Sequence, residues 1–84
     1  MNMLILTEAD AEALCGPKDA DGKYFVETSP GHALQPAELT DGTFALPEAV
    51  LTDPAHTSVY AQLDGFPVSD VPPEAMKGYG GVKI

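Results

Sequence analysis

A chain of 84 residues holds one domain at most, and a domain of that size buries roughly 60–65% of the surface its unfolded form exposes. Thirteen acidic residues stand against four lysines and no arginine, giving a formal charge of −9. That balance repels nucleic acid and anionic membranes and lacks the bidentate reader of phosphate and guanine, so the expected partner is a protein, or a second copy of the chain.

A hydrophobic fraction of 44% is that of a folded chain, and eight Pro with eight Gly call for short elements and many turns. Cys15 is the only cysteine, so no intramolecular disulfide is available. The opening Met1-Asn2-Met3-Leu4-Ile5-Leu6 has no basic flank and its apolar run ends at Thr7, unlike a signal peptide. No run approaches the ~20 apolar residues of a membrane span. The expected location is the cytoplasm.

Met3 to Leu6 reads as a short strand. Thr7-Glu8-Ala9-Asp10 then forms a capping box, with Leu6 and Ala11 at the hydrophobic-staple positions. Glu8, Asp10 and Glu12 suit the positive end of a helix dipole, and Gly16-Pro17 stops the helix. A helix over 8–15 follows, with Ala11, Leu14 and Cys15 inward.

Asp-Gly recurs at Asp21-Gly22, Asp41-Gly42 and Asp64-Gly65, each time followed by an aromatic and apolar stretch. This is turn chemistry suited to positive φ rather than an internal repeat. Strands are expected over 24–28, 33–39 and 43–46, joined as a meander by turns at Ser29-Pro30-Gly31 and Thr40-Asp41-Gly42. Pro36 cannot donate to a ladder, so its arm should be an edge strand or bulged. Pro47 is positioned to open a helical turn within 46–51. Asp53-Pro54 then pairs an N-cap with a first-turn proline, and Ala55, Val59 and Leu63 recur at helical spacing up to Gly65. A continuous second helix is expected there, although the β-branched Thr57 and Val59 weaken it.

The expected fold is therefore α+β: a small, mostly antiparallel sheet of three to five short strands packed by two short helices. Residues 1–72 form the domain, and 73–84 a tail or late edge strand. The expected core is Leu4, Leu6, Leu14, Phe25, Leu34, Leu39, Phe44, Leu46, Val50, Val59, Leu63, Phe66 and Val68.

No catalytic, cofactor or metal signature is complete. Asp19-Ala20-Asp21-Gly22 resembles the middle of a calcium loop. With Gly22 at the sixth position, however, Pro17 and Thr28 fall where the essential first and last acidic ligands belong. Cys15, His32 and His56 are too few and too scattered for zinc. A nucleophilic Cys15 paired with His32 or His56 would sit at the C-terminal end of its helix, where the dipole disfavours a thiolate. His56, Tyr60 and Asp64 share one helical face, read as its solvated side. With this many carboxylates, no acid–base pair stands out. Gly78-Tyr79-Gly80-Gly81 has neither the spacing nor the Lys-Ser/Thr end of a phosphate loop. The terminal Val82-Lys83-Ile84 could add as a strand to a partner's sheet.

The segments 4–14 and 33–51, from Leu4-Ile5-Leu6-Thr7-Glu8 and Ala33-Leu34-Gln35-Pro36 onward, resemble small uncharacterised proteins of bacteriophage and prophage gene clusters. The resemblance implies a phage origin and a structural or accessory role, and supplies no site residue. The expected function is a non-enzymatic interaction module that needs no cofactor. The alternative is an acidic inhibitor or nucleic-acid mimic acting on a basic protein, which requires the carboxylates to gather on one face.

Overall fold

In the computed structural model, which describes residues 2–77, the chain is α+β. Five antiparallel strands form the main sheet in the order β6-β1-β5-β4-β7, and β2-β3 forms a separate two-stranded sheet. The strands are β1 (Asn2–Leu6), β2 (Val26–Ser29), β3 (His32–Leu34), β4 (Ala37–Leu39), β5 (Phe44–Pro47), β6 (Val68–Asp70) and β7 (Met76–Lys77). The two helices are α1 (Glu8–Cys15) and α2 (Tyr60–Leu63), with 3₁₀ turns at Glu48–Thr52, Pro54–Val59 and Pro73–Ala75.

β1 lies between β5 and β6 and is covered on both faces. Met3, Leu4 and Leu6 are buried, which is why this strand reads as an unbroken apolar run rather than an alternation. α1 begins and ends as its sequence dictates. Thr7 Oγ1 accepts from the Asp10 amide at 3.1 Å and Asp10 Oδ2 accepts from the Thr7 amide at 3.2 Å, a reciprocal box. Gly16 at φ +80° closes it, donating to the Glu12 carbonyl. Ala11 is buried, while Leu14 and Cys15 are half-buried against the core.

The expected meander breaks in two. Its long middle arm, 33–39, is cut at Gln35-Pro36: β3 pairs with β2, and β4 joins β5 in the main sheet. A proline lacks the amide a ladder needs and restricts the residue before it, so Pro36 ends one strand where a single edge or bulged strand was expected. β4 is not an edge, because β7 pairs along its other side. The turn between β4 and β5 forms at Thr40-Asp41-Gly42, with Gly42 at φ +90° and the Asp41 carboxylate accepting from the Thr43 amide and hydroxyl.

Pro47 does open a helical turn, at Glu48–Thr52. The second helix is not continuous. Asp53 caps it, accepting from the Ala55 amide at 2.9 Å, but the chain leaves helical geometry at His56 (φ −116°, ψ 20°) and again at Val59 (φ −115°, ψ 4°) before α2. Two short pieces replace one helix because His56 and Ser58 turn to bond the β2–β3 hairpin, and β-branched Thr57 and Val59 offer little resistance.

The main core lies on one face of the large sheet. Leu4, Leu6, Phe44 and Leu46 point into it and meet Ala11, Tyr24, Leu34, Val50, Val59 and Leu63. Leu4 opposes Leu46 and Leu6 opposes Phe44 in the ladder, so the apolar pairs stack directly. The other face carries Met3, Leu39 and Ala45 beneath Val71, with Ile5, Ala75 and Met76 beside them. Two expected core residues face outward: Phe25 is 51% exposed and Val68 45%. The alternation places Tyr24, Val26 and Thr28 inward and Phe25 with Glu27 outward, one residue out of phase with the expectation. Val68 is on the outermost strand among the described residues, where its side chain is left half-exposed. Leu14 and Phe66 pack at the core margin. Gly78–Gly81 and Val82-Lys83-Ile84 lie outside the described residues.

Candidate functional site

The structure does not bring together all three residues from which a nucleophilic or metal centre would be built. Cys15 packs at the margin of the main core, and burial raises its thiol pKa to about 11, so it is a thiol at neutral pH. No hydrogen bond joins it to either histidine among the described residues. His32 and His56 do meet, their rings edge to face at 6.5 Å. His32 is exposed, with Nδ1 3.2 Å from the Pro30 carbonyl oxygen. Among the described residues no three His, Cys, Asp or Glu side chains gather as a metal site. The Asp19 carboxylate, central to the calcium-like stretch, accepts from the Asp21 and Lys23 amides of its own turn.

His56 belongs to a compact polar latch. The β2–β3 register slips between Glu27 and Ser29, leaving Thr28 as the extra residue of a bulge. A bulge re-aims side chains, and here Thr28 turns inward with its Oγ1 2.6 Å from His56 Nδ1. The Thr28 hydroxyl also lies 3.4 Å from the His32 carbonyl oxygen. One hydroxyl proton cannot serve both acceptors. If it goes to the carbonyl, the imidazole must be the donor at Nδ1. Ser58 donates to the Thr28 carbonyl at 3.0 Å, and Ser29 to the Ala55 carbonyl at 2.9 Å. On the far side of the ring, Nε2 stands 3.7 Å from Asp53 Oδ2, and the Tyr60 hydroxyl donates to the Asp53 carbonyl.

Hydroxyl, imidazole and carboxylate thus stand in series, the order of a nucleophile, base and orienting group. The burial argues for another use. Thr28 and His56 are each 8% exposed, and Thr28 is enclosed by the hairpin and the Pro54–Val59 turn it ties together. The cluster fastens a two-stranded sheet, which is marginal by itself, to the rest of the domain. Sequence reading placed His56 on a solvated face with Tyr60 and Asp64; instead it is buried, Tyr60 is half-buried and only Asp64 is exposed. Thr28 and Ser58 were missed. The only signal for Thr28 was a hydroxyl at an inward position of a strand.

Two accessible features lie at the edge and on the thinner face of the main sheet. β6 is exposed along its whole length and pairs only with β1 among the described residues. Beside it, between the Thr40–Thr43 turn and the Ser69–Ala75 crossing, opens a cleft of about 260 Å³. Its apolar lining includes Ile5, Leu39, Val71 and Ala75, and its rim includes Asp41 and Asp70.

No protein-family model, curated protein or solved structure matches the chain.

Among the described residues no helix is long and apolar enough to cross a membrane.

Proposed function

We propose that this protein is a non-enzymatic interaction module, a structural or accessory protein of phage or prophage type acting in the cytoplasm, that engages another protein through the β6 edge of its main sheet. One observation carries the reading: the outward direction of the β6 backbone. Ile5 donates to the Pro67 carbonyl at 2.9 Å, and Met3 opposes Ser69 in the same register. Val68 therefore occupies a non-hydrogen-bonded position opposite Leu4, with its own N–H and C=O directed away from β1. An exposed edge with an outward apolar side chain is a template for strand addition.

The opposite pole of the sheet and the small hairpin offer less. Among the described residues β7 is two residues long, and the outer side of β2 is occupied by the Pro54–Val59 turn through Ser58. The carboxylates are spread over α1, β2, β4, β6 and several connecting segments, which favours general solubility over a phosphate-like array.

Val68→Pro tests the reading. It removes only an outward N–H, so β1 pairing and thermal stability should be kept. Crosslinking and mass spectrometry in the native host should then lose a partner that the parent chain captures at β6. Equal capture by the variant would sink the β6 assignment.

A further inference from the structure

The cleft beside β6 gives the partner a chemistry. We infer that it receives a lysine or arginine side chain from an extended segment of the partner protein, with the aliphatic stem on Ile5, Leu39, Val71 and Ala75 and the cationic head at Asp41. The inference rests on the interaction-module reading and adds what the partner must carry.

Three observations support that occupant. The first is size: about 260 Å³ falls below the roughly 300–1,000 Å³ of sites built for free small molecules, and suits one long side chain. The second is the lining, apolar at the floor and hydroxyl or carboxylate at the rim. Lysine and arginine match that gradient because their stems bury while their heads stay wet. The third is charge. Asp41 is held in place by the Thr43 amide at 2.9 Å and hydroxyl at 2.6 Å, and both bonds fall on Oδ1, leaving Oδ2 without a hydrogen bond among the described residues. Asp70, also at the rim, has a contact of its own, so the cationic head is assigned to Asp41. Among the described residues no lysine lines the cleft. Lys18 and Lys77 already pair with Glu8 and Glu38, at 3.4 and 3.5 Å. The net charge of −9 steers a basic segment toward the surface.

The test is an NMR titration of the isotope-labelled full chain with a short peptide alternating lysine and valine. The control peptide replaces lysine by norleucine, which keeps the stem and removes the charge. The lysine peptide should shift the amides of Leu39, Asp41, Val71 and Ala75 and lose affinity as NaCl rises from about 50 to about 500 mM. Asp41→Asn keeps a side-chain oxygen for the turn and should weaken binding about three- to fivefold. Ser69→Arg places a cation of the chain's own at the cleft and should abolish the shifts. Equal binding of the norleucine peptide, or no loss in Asp41→Asn, would overturn the cation assignment. Shifts confined to β6 backbone amides and independent of charge would overturn it while leaving the edge reading standing. No shift at all, together with equal capture by Val68→Pro, would remove both. Tighter binding by Lys83→Gln would overturn the partner assignment in favour of the chain's own Lys83.

Discussion

The two faces of the main sheet are built to different depths. One is roofed by α1, the β2–β3 hairpin, the two 3₁₀ turns of 48–59 and α2, and encloses a cluster of ten buried residues. Among the described residues the other is crossed only by the strip from Val71 to Met76, where four residues are buried and the cleft opens beside them. The described residues supply a full cover for one face and a strap for the second. Stability is therefore concentrated on the closed face, and accessibility on the strapped one.

Substitutions across the two faces can break that contrast. The largest effect is expected at Leu6, fully buried under α1: Leu6→Ala should cost about 2–5 kcal/mol in urea unfolding. Next comes the latch. His56→Ala removes the imidazole from the buried Thr28 hydroxyl and should cost about 1–3 kcal/mol. It should also speed hydrogen exchange in β2 and β3 more than in β1 and β5. Uniform acceleration would mean that the hairpin does not depend on the latch. Val71→Ala, on the strapped face, should cost only about 1–2 kcal/mol. A loss as large as that at Leu6 would show that the two faces carry equal weight.

The smallest effect is a pH dependence at the rim of the cleft. The Thr43 hydroxyl, then its amide, hold the Asp41 carboxyl below its ordinary range. A carboxylate lowered in the folded state stabilises it above the ordinary unfolded pKa, and that contribution fades as pH falls through the lowered value. Thermal melts between about pH 2 and pH 5 should show a shallower acid loss in Asp41→Asn than in the parent. Parallel acid limbs would show that Thr43 does not stabilise the charged form.

What the sequence determined by itself is what depends on neighbours within three or four positions. The Thr7–Asp10 box, the Gly16 stop, the Asp41-Gly42 turn and the Asp53 cap formed where their residues placed them, because each is a bond between a side chain and the backbone beside it. The fold class followed from the spacing of those signals. Glu27, two residues beyond Phe25, held the correct phase of β2, since residues two apart share a face; the aromatic outweighed it in the reading. The rest needed three dimensions. Pro36 announced an interruption but not that the two halves would join different sheets. His56 looked solvated until a bulge 28 residues earlier brought Thr28 against it. The open edge and the cleft, as the described residues show them, are properties of where β1 pairs and where the segment from Val71 to Met76 crosses the sheet. Such features arise from contacts distant in sequence, and no local pattern of residues encodes which distant surface will be covered and which left bare.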